Sequence, residues 1–153
     1  MLALSLPQTK RYGCTISFTS TLYLCPVLDL LLEKIPNELQ AELRLGLQEA
    51  LVNAAKHGNK LDPGKSIFVK FSVTQDFYSW IISDQGQGFS TQCDCTNHSI
   101  ETLPPDESEN GRGFCLLYEI FDQVHWDQQK TQLKLCKQVK KNKRQLIFSN
   151  MYS

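Results

Sequence analysis

The chain has 153 residues, 41% of them hydrophobic and 21% charged, which is the size and composition of one soluble domain with a single core. Sixteen basic and sixteen acidic side chains cancel, so no long-range field draws the chain to nucleic acid or to an anionic membrane. No apolar run approaches the roughly 20 residues of a membrane span. MLALSLPQTKRYG lacks a charged region ahead of its leucines and a small-residue cleavage site, and is not read as a signal peptide.

In chain order, YGCTISFTST (12–21) alternates β-branched or aromatic residues with polar ones and predicts a strand. VLDLLLEKI, ending at Pro36, has the pattern of a short amphipathic helix. A second helix is expected from Asn37, its N-cap candidate, with Glu38 and Glu42 suiting the helix N-terminus. It should run to about His57 and stop at Gly58 in a left-handed conformation. SIFVKFSVT and FYSWIISD read as two antiparallel strands joined across Gln75 and Asp76. Residues 85–113 hold glycines, acids and Pro104–Pro105, and a loop of that length is usually functional or mobile. GFCLLYEIF has helical spacing, DQVHWD and TQLKLCKQV read as strands, and RQLIFS is a possible edge strand. Helices and antiparallel strands in this order predict a two-layer α+β sandwich.

The second helix carries more than a core stripe. At about 100° per residue, Leu43, Leu47, Ala50, Leu51 and Ala54 share one side, while Glu49 and Asn53 lie about 40° apart on another. That second face is either a solvated polar surface or the wall of a cleft. In a cleft, a carboxylate can orient a nucleophile and a carboxamide oxygen can bind a hard cation such as Mg²⁺. His57, one turn further on, is expected to cap the helix or to hydrogen-bond near the site rather than to act in the chemistry.

Asp84 follows Trp80 and Ile82 on one face of a predicted strand, the face that the helices should cover. A carboxylate there needs a hydrogen-bonding partner. Gly86 and Gly88 follow, where backbone can approach a ligand closely. Finally, Gly111 and Gly113 flank Arg112 at the start of a helix, an arrangement suited to phosphate through free N–H groups and a guanidinium fork. Each signal alone has an ordinary alternative, such as a glycine turn after an edge strand or a hinge beside a surface arginine.

Together, ExxxNxxxHGN, DxGxGF and GRGF resemble the ATP-binding motifs of the histidine-kinase-like ATPase superfamily, and within it the small anti-sigma-factor serine/threonine protein kinases. The likeness runs from about Asn37 to Val139, and the ending His57-Gly58-Asn59 is similar to the anti-sigma branch. It implies a mixed, mostly antiparallel sheet covered on one face by helices. It also implies one ATP-binding kinase domain over residues 1–153, with an N box at 49–59, a first glycine box at 84–89, a lid at 90–110 and a second glycine box at 111–117. By resemblance, Asn53 holds the Mg²⁺ that sits between the phosphates. Glu49 acts as base or orients the attacking hydroxyl. Asp84 accepts a hydrogen bond from the adenine amino group, Gly86 and Gly88 lie beside adenine and ribose, and Gly111, Arg112 and Gly113 form the phosphate-side loop. Phe114 stands where the family often has leucine, a tolerable apolar change.

The function this implies is ATP-dependent phosphorylation of a serine or threonine on an anti-anti-sigma protein of the STAS type, coupled to sequestration of a sigma factor. A homodimer and a cytoplasmic location in a bacterium go with it, without direct contact to nucleic acid or membrane. The alternative is a partner-switching module that binds ATP but transfers no phosphate, against which Glu49 argues. A stand-alone histidine-kinase catalytic domain is disfavoured, because the 36 residues ahead of Asn37 leave no room for a phosphoacceptor hairpin. The six cysteines are read as reduced thiols. Cys93 and Cys95, with His98 nearby, lack an evident fourth zinc ligand. KQVKKNKR is read as a solvated turn or tail.

Overall fold

A computed structural model of the chain describes residues 12–86 and 114–140. Strand β1 (Tyr12–Thr19) leads to helix α1 (Cys25–Leu32) and helix α2 (Asn37–Asn53), which passes directly into a single π-helical turn (Ala54–Gly58). The hairpin β2 (Ser66–Val73) and β3 (Phe77–Ser83) follows. Helix α3 occupies 114–120, and β4 (Gln123–Asp127) with β5 (Gln132–Gln138) forms a second hairpin. The five strands make one open sheet in the order β1-β2-β3-β5-β4, and all four pairings are antiparallel. The expected two-layer α+β sandwich is met, without a parallel pairing among the described residues.

The period-two pattern explains the sheet. Ile67, Val69 and Phe71 on β2, Tyr78, Trp80 and Ile82 on β3, and Leu133 and Leu135 on β5 are buried on one face. Register places Phe71 opposite Trp80 and Trp80 opposite Leu135. The Trp80 ring stacks on Phe71 at 5.3 Å and meets the edge of Phe121 at 5.8 Å. Helix α2 closes this face with the predicted stripe: Leu43, Leu47, Ala50, Leu51 and Ala54 are all buried. Burying side chains of this size contributes about 1.5–3 kcal/mol each for the leucines. Lys137 Nζ donates to the Ile120 carbonyl at 2.7 Å and so ties the end of α3 to β5.

Both ends of α2 differ from the sequence expectation. Pro36, with ψ 142°, is the N-cap, and no side chain caps the helix; Asn37 is already helical and cannot fold back in the cap position. The polar group that works at this junction is Gln40, whose Nε2 donates to the Ile35 carbonyl at 3.0 Å. At the other end the α-helix stops at Asn53, and the next turn widens, with Asn59 N–H bonded to the Ala54 carbonyl at 2.9 Å. The left-handed residues are Lys60 (φ 53°) and Leu61 (φ 56°), not Gly58. Glycine is required at 58 for a different reason, given below. The extra residue in the π turn also means that His57 does not continue the four-residue line of Glu49 and Asn53.

RQLIFS, the second half of the basic run KQVKKNKR, and Cys93, Cys95 and His98 lie outside the described residues. Among the described residues no helix is long and apolar enough to cross a membrane.

Candidate functional site

Helix α2 and strand β3 run side by side in the core, and their polar ends converge. Asn53 is the last α-helical residue, and Asp84 is the first residue after β3. Both line one open pocket, together with Ala50 and Ala54 of the helix, Ile82 of β3 and Leu133 of β5. Phe114 from the start of α3 and Trp126 from β4 complete its walls. The result is a small, mostly apolar slot of about 10 Å³ among the described residues, with a carboxamide and a carboxylate in its lining.

The two polar groups are in unequal states. Asn53 Nδ2 is buried and has no hydrogen-bond partner among the described residues. A buried amide donor left unpaired costs about 1–3 kcal/mol. A ligand oxygen that accepts from Nδ2 would relieve that cost, which suits a phosphate or other anion; a cation would have to be held by the Oδ1 instead. Asp84 is 9% exposed. Its Oδ1 accepts from Gly86 N–H at 2.8 Å. Its main chain is clamped by Thr131, whose hydroxyl donates to the Asp84 carbonyl at 2.7 Å and whose carbonyl accepts from Asp84 N–H at 3.2 Å.

The glycines explain how the carboxylate is placed. A Cβ on Gly58 would overlap the Asp84 carboxylate, and one on Gly86 would overlap the Gly58 carbonyl oxygen. The π turn and the loop after β3 therefore meet backbone to backbone, with the Asp84 side chain held between them. The requirement at both positions is close approach, not a left-handed conformation.

Burial pushes the Asp84 carboxyl above its ordinary value of 3.8; the Gly86 N–H and the charge on Lys65 oppose the shift without cancelling it. For a carboxyl raised in the folded state, the stabilising form is the protonated one. Its contribution is present below 3.8 and is lost as pH rises through the folded value. Ionised Asp84 is thus a cost to the fold at neutral pH. Asp84→Asn is expected to melt at or above the wild-type temperature at pH 7, with the difference shrinking towards pH 4. Scanning calorimetry of the two proteins at both pH values checks this; a variant that melts well below wild type at pH 7 would contradict it.

Glu49 sits one turn before Asn53 on α2, half-exposed and outside the pocket lining. Gly88, Gly111, Arg112, Gly113 and the lid segment 90–110 lie outside the described residues. Of the predicted site residues, then, Asn53, Asp84 and Gly86 are brought together, with Glu49 on the adjoining helix face. Sequence reading missed Thr131 and Trp126, which reach the site from the far hairpin. It also gave no task to Asn59.

The sequence pattern of the histidine kinase-like ATPase domain matches residues 27–137, from α1 through β5. The chain belongs to that family. Curated relatives of this ATPase domain include a serine-protein kinase RsbW from Bacillus licheniformis, 31% identical over 86 residues, which are 54% of this chain and 54% of that protein. The serine-protein kinase RsbW of Bacillus subtilis is 29% identical over 90 residues, 54% of each chain. An anti-sigma F factor from Halalkalibacterium halodurans is 26% identical over 83 residues, 54% of this chain and 56% of that protein. The ATPase domain thus spans about half the length of the curated relatives it matches.

Proposed function

We propose that this ATPase domain binds Mg–ATP in the Asn53–Asp84 pocket and transfers the γ-phosphoryl group to a serine or threonine of a STAS-type anti-anti-sigma protein, while in its other state it holds a sigma factor. The observation that supports the reading is the convergence, in one mostly apolar slot, of Asn53, whose buried Nδ2 has no partner among the described residues, and the buried Asp84 carboxylate. The names of the relatives, serine-protein kinase and anti-sigma factor, support the choice of acceptor and partner.

In this reading the adenine end belongs to Asp84, which accepts from the exocyclic amino group, with Gly86 and Gly88 beside base and ribose. Asn53 supplies its carboxamide oxygen to Mg²⁺, and Gly111, Arg112 and Gly113 supply N–H groups and a guanidinium to the phosphates. The cation neutralises phosphate charge when bound. Glu49 orients the incoming hydroxyl and takes its proton. The single kinase domain over residues 1–153, the lid at 90–110 and a homodimer belong to the same proposal.

Nucleotide choice tests it. Asp84 can accept from the amino group of adenine, whereas guanine presents a carbonyl there, so Mg–ATP should bind well and Mg–GTP poorly. Asp84→Ala should weaken ATP and ADP alike by roughly 1.5–3 kcal/mol. Calorimetric titration decides: equal affinities for ATP and GTP in the wild type would remove the assignment.

A further inference from the structure

Asn59, the last residue of the His-Gly-Asn ending, is 0% exposed, and its side chain spends every bond in one place. Nδ2 donates to Ser20 Oγ at 2.7 Å and to the Ser66 carbonyl at 3.0 Å, and Oδ1 accepts from Gln85 N–H at 2.7 Å. The carboxamide thus joins the end of β1, the start of β2 and the loop after β3. Gln85 makes a second tie to the same strand start, its Oε1 accepting from Ser66 N–H at 2.8 Å. Gln85 is flanked by Asp84, which lines the pocket, and Gly86, whose N–H donates to Asp84 Oδ1 at 2.8 Å. Only a side chain with a donor and an acceptor on one planar group makes this set of bonds.

We propose that Asn59 is a positioning residue for the nucleobase: it holds the Gln85 amide from beneath and so fixes the Asp84–Gly86 turn against which the base is read. The inference rests on the nucleotide reading of the pocket. It adds a residue that touches neither ligand nor cation and acts only through the turn. Loosening the turn costs base discrimination, while the phosphate end, which depends on Asn53 and on the helix it terminates, is left as it was.

The test uses the full chain and three probes, Mg–ATP, Mg–GTP and Mg–tripolyphosphate, titrated against wild type, Asn59→Ala and Gln85→Ala. The expected result for Asn59→Ala is at least a tenfold loss of ATP affinity, an ATP-to-GTP ratio falling towards one, and tripolyphosphate affinity within twofold of wild type. Gln85→Ala, which removes only the second tie from an exposed side chain, should lower the same ratio by a smaller factor and keeps the inference testable if Asn59→Ala does not fold. A folded Asn59→Ala that keeps the wild-type ratio, or that loses tripolyphosphate and ATP equally, overturns the inference. So does an unchanged ratio in Gln85→Ala where that variant alone folds. If wild type itself fails to prefer ATP, the nucleotide reading falls first and the positioning role falls with it.

Discussion

Glu49→Ala is expected to lower phosphotransfer by roughly 10²–10⁴-fold, the usual contribution of a positioned general base, while leaving Mg–ATP affinity nearly unchanged. The separation follows from where the residue sits. Glu49 is half-exposed on α2, one turn before Asn53, and does not line the pocket that holds Asn53 and Asp84. In the proposed reading its carboxylate has little to do in the nucleotide complex alone and would act on the hydroxyl that arrives with the partner protein. Sigma-factor binding should also survive the substitution. Paired measurements, ATP affinity by titration and single-turnover transfer to the partner, check this. Wild-type transfer rates in Glu49→Ala would return that residue to an ordinary polar helix face.

Asn53→Ala is expected to do the opposite to binding and to stability. If Asn53 holds the cation as proposed, its loss should lower Mg–ATP affinity by at least the amount seen when a supporting partner of a metal ligand is removed, about 10–100-fold, and transfer should vanish with it. Yet the protein without nucleotide should be no less stable, and should gain up to about 1–3 kcal/mol, because the substitution removes a buried amide donor that has no partner among the described residues. Alanine is also the better helix former at the last α-helical position. Chemical denaturation and titration on the same preparation give both numbers. A loss of stability together with unchanged Mg–ATP affinity would mean that Asn53 serves the fold and not a ligand. In the proposed reading Asp84 follows the same logic: its cost to the resting protein would be offset by the ligand it holds.

Much of this was legible in the sequence because it rests on periodicity. Residues such as Trp80 and Ile82 alternate on β3 and place Asp84 on the covered face, while Leu43 and Leu47 recur along α2 and leave Asn53 off the core stripe. Asp84 could be found because it interrupts an apolar alternation, and Asn53 only through the motif resemblance. What was not legible depends on contacts between segments distant in the chain. Nothing local in AAKHG announces a π turn, in which Asn59 N–H and Leu61 N–H bond back to the Ala54 and Ala55 carbonyls while Gly58 packs on Asp84. Gly58 looked like a helix stop because glycine has two uses, left-handed backbone and close approach, that a sequence does not distinguish. Thr131 and Trp126 enter the site from the β4–β5 hairpin through strand order, with β5 beside β3, and no spacing rule along the chain points to them.

The fate of the γ-phosphate tests the central claim most directly. Full-length protein is incubated with ATP labelled at the γ position and a STAS-type partner, and the labelled protein is then treated with acid and with base. The account predicts acid-stable label on a serine or threonine of the partner, dependent on Mg²⁺ and lost in both Glu49→Ala and Asn53→Ala. Acid-labile label on histidine, or no label on any protein while ATP binds, would contradict it.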